Sequence, residues 1–409
     1  MNLKADKSFS FKLFYNIFIA VFVFILFLSV FAFDIYAESG GKGFLNPVSN
    51  IVSTGADTYL NGANDVFVSG NYAYIAAMAD NSMTIINVSD PKNPVFESSI
   101  KGMGTPNYLG GISKLFVVSH FCFAACSKDN SFVVIDCNDT KNPEVVAVIS
   151  GSGAPNYLGG ARDVFIKDNR AYVVSSADNS LSIIDVSSPQ NPRMLGVVQG
   201  AGAGSYLGGA SGIYVTEGHA FVASEKDNAI ACYDVRNPAN PVLSGFVEGA
   251  GKPGYLGGAK SIFIKDNIGY VASSKDNTLA VINTKDKSNI KTEYSITSSS
   301  IDNYLKMPQA VFVRENFVFV ISQESNSLAV FDIGNPSQPK LAASLNGAGS
   351  PNFLGRPAGL FVLGKYIFVT TAGDDSLSIF ETNIGIKAIT DNNVSSLRKW
   401  LRIHNPYSV

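Results

Sequence analysis

Carboxylates set beside amides present oxygen acceptors that could line a ligand site, and this 409-residue chain repeats such pairs. They stand at Asp80-Asn81, Asp129-Asn130, Asp178-Asn179, Asp227-Asn228 and Asp276-Asn277, then degenerate to Ser325-Asn326 and Asp374-Asp375. A single ligand site rarely needs seven near-identical copies. We therefore read Asp80, Asp129, Asp178, Asp227 and Asp276 as structural turn residues, each closing its own turn through a side-chain to backbone bond. Departures from the pattern are better candidates for binding. Lys306-Met307-Pro308 and Arg356-Pro357 replace the Gly-Gly-Ala found at the corresponding earlier places, with Asp302, Glu324 and Asp375 nearby in the pattern. Asp302, Lys306, Glu324, Arg356 and Asp375 form the candidate binding set, against the alternative of drift in terminal repeats.

No catalytic constellation is visible. The three histidines, His120, His219 and His404, have no matching nucleophile near them in sequence. The glycine-rich segments lack Gly-Lys-Ser/Thr and a following helix, which removes a phosphate loop. Neither a Cys-x-x-Cys nor a histidine cluster offers a zinc site, so no metal or cofactor is expected. Cys122, Cys126, Cys137 and Cys232 read as buried free thiols. A tight hairpin centred on Asp129-Asn130 would set Cys122 opposite Cys137, where an exported chain could form a disulfide. With 31 basic against 33 acidic residues, nothing in the net charge of −2 favours nucleic acid as a partner.

These groups are positioned by a repeat. Tyr59, Tyr108, Tyr157, Tyr206, Tyr255, Tyr304 and Phe353 follow one another at 49-residue intervals, the mark of stacked supersecondary units. In the third copy, apolar runs at 162–167, 171–175, 181–186 and 194–199 are separated by turn residues, with Pro189 and Pro192 ahead of the last. Four short strands per unit at this period predict an all-β, seven-bladed β-propeller with four-stranded blades. Two further aromatic columns, Phe67 to Phe361 and Tyr74 to Phe368, are expected to fill the wedges between blades. The loop carrying Tyr-Leu-Gly-Gly should share one rim with the Asp-Asn turn.

The seventh copy lacks a fourth strand, and Asn46-Pro47-Val48 resembles the start of one. The N-terminal strand should therefore complete the last blade and close the ring, giving one domain over 46–382. Ahead of it, Lys4, Lys7 and Lys12 precede an apolar run from Leu13 to Phe33. Residues 1–37 read as a secretory signal peptide, with an uncleaved membrane anchor as the alternative. The 383–409 tail, with Val394, Leu397, Trp400 and Leu401, reads as a short amphipathic helix that docks on the ring or on a membrane surface.

Leu181-Ser182-Ile183-Ile184-Asp185-Val186, followed by Ser-Ser-Pro-Gln-Asn-Pro, and the parallel segment from Leu328 to Asp332 resemble the LVIVD repeat of bacterial and archaeal surface propellers. The stretch from Ala171 to Asp185, Ala-Tyr-Val followed after five residues by Asn-Ser-Leu-Ser-Ile-Ile-Asp, is similar to the YVTN surface-propeller repeat. The resemblance spans the ring and is weakest at Lys287-Ser288-Asn289-Ile290, where the Pro-x-Asn-Pro turn is replaced. It implies an exported or cell-surface propeller and brings no catalytic residues. The expectation is a monomeric, non-catalytic binding scaffold for an extracellular or envelope macromolecule. The alternative is a hydrolase or lactonase-like enzyme at the channel mouth, using carboxylates among Asp65, Asp163, Asp302, Glu324 and Asp375.

Overall fold

A computed structural model describes residues 45–53, 58–336 and 338–383. Seven antiparallel four-stranded sheets form a ring; six run in chain order from the innermost strand outward, and the seventh takes its outermost strand from the start of the described chain. Blade three comprises Ala161–Lys167, Arg170–Ser175, Ser180–Asp185 and Arg193–Gln199, so each apolar run gains one residue at its start and the third run ends at Asp185. The first two strands join through Asp168 and Asn169, both at positive φ (49° and 59°). That is the mirror-image turn that matches strand twist, and Asp and Asn tolerate it.

The ring closes as the repeat predicts. Leu45–Val52 is the outer strand of blade seven and pairs antiparallel with Ser376–Thr382, from Leu45↔Thr382 to Val52↔Ser376. Ser49 Oγ also donates to the Pro91 carbonyl of blade one at 2.6 Å. Closing this way leaves no blade short of a strand.

The two aromatic columns separate. Tyr74, Phe123, Tyr172, Phe221, Tyr270, Phe319 and Phe368 are buried in the sheets. Phe368 of blade seven packs into the cluster of blade one, so this column fills the wedges as expected. The column from Phe67 to Phe361 does something else. Its seven rings meet one another around the channel, with neighbouring centroids 4.7–5.6 Å apart and planes tilted by 45–59°. They form a continuous aromatic collar because they sit on the innermost strands, where the nearest aromatic is the equivalent residue of the next blade.

The cysteine register also differs from expectation. The second-to-third-strand loop of blade two has four residues, Ser127 to Asn130, so Cys122 pairs with Ile135 and not with Cys137. All four thiols are free and buried, and burial pushes Cys137 and Cys232 each up to about 12. The leader at 1–37 and the tail helix beyond residue 383 lie outside the described residues. Among the described residues, no helix is long and apolar enough to cross a membrane.

Candidate functional site

The Asp-Asn turns do not close themselves; they fasten loops to one another. Each Asp reaches the preceding loop of its own blade. Asp129, Asp178, Asp227, Asp276 and Asp374 each accept two glycine amides there, as in Gly104 and Gly110 donating to Asp129 at 2.9 and 2.7 Å. Asp80 accepts the Asn61 amide at 2.8 Å. Glycine is required for this approach: a Cβ on Gly208 would lie 2.2 Å from the Asp227 carboxylate. The second residue of each pair reaches the next blade. The Oδ1 of Asn81, Asn130, Asn179, Asn228, Asn277 and Asn326 accepts the amide 30 residues onward at 2.8–2.9 Å. Asp375 does the same for Gly62 at 2.8 Å across the closure. The Asp and Asn side chains of these turns thus serve as staples within and between blades.

No side-chain hydrogen bond or ion pair among the described residues joins members of the candidate set from blades six and seven to one another. Asp302 and Glu324 are exposed. Lys306 offers its carbonyl to the Glu324 amide at 3.2 Å. The exposed Arg356 guanidinium lies 3.2–3.3 Å from the Gln323 side-chain amide, and Asp375 is occupied at the ring closure.

Asymmetry is concentrated at the channel mouth instead. Every innermost strand carries a β-bulge at its second residue, such as Arg162 between the pairs Ala161↔Ser175 and Asp163↔Val174. A bulge re-aims side chains at a rim, and here it brings two consecutive residues to the channel. The result is a polar cup of about 100 Å³ lined by Ser113 and Lys114, Arg162 and Asp163, Lys260 and Ser261, with Asn64, Ser211 and Gln309 between them. Below it the channel narrows onto the aromatic collar. A second, mainly apolar cavity of about 230 Å³ lies at the opposite end of the ring beside Val118, Phe121, Phe123, Ile166 and Pro189.

Of the charged residues lining the cup, Lys114 and Lys260 are held in ion pairs and Asp163 and Arg162 are not. Asp65, 1% exposed, accepts Lys114 Nζ at 2.7 Å and the Leu115 amide at 2.9 Å. Burial raises the Asp65 carboxyl above its ordinary range, against the pull of Lys114. Burial would lower the Lys114 ammonium, but Asp65 and Asp163 together leave it raised. Lys260 pairs with Glu225 at 3.1 Å. Asp163 accepts the Val164 and Ile213 amides at 2.8 and 3.0 Å, and burial lifts it to about 6, with Lys114 opposing and Asp65 adding to the rise. Arg162 is half-buried and has no hydrogen-bond or ion-pair partner among the described residues. No group of three or more His, Cys, Asp or Glu among those residues is placed to hold a metal ion.

Of the carboxylates considered for the channel mouth, the structure brings together Asp65 and Asp163 and leaves Asp302 and Glu324 apart. Sequence reasoning missed Lys114, Arg162, Lys260, Ser261 and Gln309. A signal was available: the 49-spaced column Asn64, Ser113, Arg162, Ser211, Lys260, Gln309 and Ala358 uses six residue types in seven places.

No curated protein sequence matches the chain. Among solved structures, it is similar to a protein of unknown function from Desulfotomaculum acetoxidans, at 14% identity and TM-score 0.59, covering 78% of this chain and 95% of that one. Virginiamycin B lyase from Staphylococcus aureus is similar at 13% identity and TM-score 0.60, covering 83% and 99%. A candidate 6-phosphogluconolactonase from Bacteroides fragilis is similar at 12% identity and TM-score 0.58, covering 78% and 89%. These likenesses are of fold. The LVIVD repeat is matched at residues 62–101, 158–199, 207–248 and 307–347. Four of the seven blades in the ring thus carry the LVIVD repeat, and over those blades the chain is similar to the LVIVD-repeat β-propellers.

Proposed function

We propose that the chain is an exported, non-catalytic binding scaffold that engages an extracellular or envelope partner through the channel mouth of its loop-rich face. One observation carries this reading. The repeated polar residues of the rim are consumed in staples, whereas the bulged strand starts present a different side chain in almost every blade. A partner reading an almost seven-fold object needs such a break in symmetry. Export rests on the lysine-then-apolar leader read from the sequence.

The test is a photo-crosslinking residue placed at Gln309 in the cup or at Ser187 on the opposite face, in cells making the full chain. The expected result is a discrete adduct with an envelope component from Gln309 alone. Adducts from both positions, or from neither, would remove the channel mouth as the binding place. Export is checked by fusing alkaline phosphatase after Asn383: activity is expected, and an inactive fusion overturns it.

A second reading, a lactonase-like hydrolase, is favoured by Asp163 alone. A carboxyl raised to about 6 beside a cavity is poised for general-base work. Turnover in a panel of lactones and esters that Asp163→Asn abolishes would put this reading first.

A further inference from the structure

The cup has one unspent cation and room for one small group. Lys114 is held by Asp65 and Lys260 by Glu225, which leaves the Arg162 guanidinium as the cationic donor without a protein acceptor among the described residues. Its planar fork matches a carboxylate through two parallel N–H···O bonds. The cavity of about 100 Å³ holds on the order of seven waters, which limits a buried ligand to a similar number of heavy atoms. The wall beside Arg162 offers the Asp163 carboxyl and the Ser261 and Gln309 side chains to a hydroxyl, and the aromatic collar beneath offers an apolar floor.

We propose that the cup receives a small 2-hydroxy carboxylate, gripped at its carboxylate by Arg162 and at its hydroxyl by Asp163, with its alkyl end toward the collar. This rests on the channel mouth being the binding place, and names the chemical group read there. The group arrives as a free acid or as the terminus of a larger partner. Asp163 is faced by Lys114 of blade two, by Asp65 of blade one, by the Ile213 amide of blade four, by Arg162 on its own strand and by Lys260 among the cup residues. Protonating it removes a negative charge beside the bound anion, so affinity rises as pH falls through about 6.

The experiment is calorimetric titration of the full chain with lactate, methyl lactate and inorganic phosphate at pH 5.5 and 7.5. Lactate is expected to bind, more tightly at pH 5.5, while its uncharged ester and phosphate do not. Arg162→Gln should weaken lactate about tenfold or more, and Arg162→Lys should recover part of that; an unchanged melting temperature shows that both variants fold. Lactate binding that is unaltered in Arg162→Gln, phosphate binding more tightly than lactate, or no lactate binding overturns the proposal. If lactate fails while the Gln309 adduct persists, the ligand class falls and the scaffold reading stands. If excess lactate abolishes that adduct, the group is the terminus of the partner; if lactate binds and the adduct is unaffected, it is a free acid.

Discussion

Asp375 Oδ1 accepts the Gly62 amide at 2.8 Å, although 313 residues separate them in the chain. Six asparagines make the equivalent bond to the next blade, so the ring carries the same staple at every junction, including the one where the chain begins and ends its circuit. Asp375→Ala should lower stability by about 1–2 kcal/mol. Asp375→Asn keeps the acceptor used elsewhere and should be close to neutral. Urea unfolding of both variants decides it, and equal losses would show that charge, not the acceptor, matters at the closure.

Gly359 of blade seven lies against the backbone of blade one. A Cβ there would sit 2.4 Å from Thr370 Oγ1 and 2.5 Å from the Asp65 Cα, and backbone cannot step aside as a side chain can. Gly359→Ala should cost roughly 1–3 kcal/mol through overpacking. The expected signature is a lower urea midpoint with an unchanged slope.

The pH dependence of stability should carry the mark of Asp163. Its folded value of about 6 lies above the ordinary 3.8, so the folded state holds the extra proton between those values. Its contribution is full below about 4 and is lost as pH rises through 6. Relative to Asp163→Asn, the wild type should therefore lose stability across that window. Because the group is only half-buried by exposed area, the loss should be about 1 kcal/mol. Urea midpoints of the pair at pH 4, 6 and 8 test the sign.

Removing one member of the Asp65–Lys114 pair leaves the other stranded. Lys114→Met abandons a carboxylate that is 1% exposed and should cost about 2–4 kcal/mol. The double variant Asp65→Asn/Lys114→Met should recover most of it. A double variant as unstable as the sum of two damaging singles would mean that the residues act independently.

Thiol titration tests the corrected register. All four cysteines are free and buried, so a thiol reagent should find none in the native protein and all four after denaturation without reductant. Only two reactive thiols after denaturation would restore a disulfide.

The ring was legible because the repeat reports its own geometry. Turn residues and apolar runs at a 49-residue spacing locate blade strands to about a residue, and the orphan strand before Val52 signals its own destination. Arg162 and Asp163 were less legible as a pair. Consecutive strand residues normally point to opposite faces, and only the bulge, which leaves Arg162 unpaired in the register, brings both to one cavity. The collar was misassigned for a related reason: Phe67 and Tyr74 are cross-strand partners, equivalent in pattern, and only distance from the axis decides that one meets its own kind in the channel while the other fills a wedge. The span of each staple was equally hidden, since an Asn in a turn bonds locally by default.

The pairing of Leu45 with Thr382 places the entry and exit of the ring side by side. A pull between whatever precedes residue 45 and whatever follows residue 382 would open that antiparallel pair from its end, one rung at a time, instead of shearing all its rungs together. The ring should thus be a poor load-bearing link in series between two attachments. A tether on one side alone would leave the seam unloaded and the cup unaffected by tension.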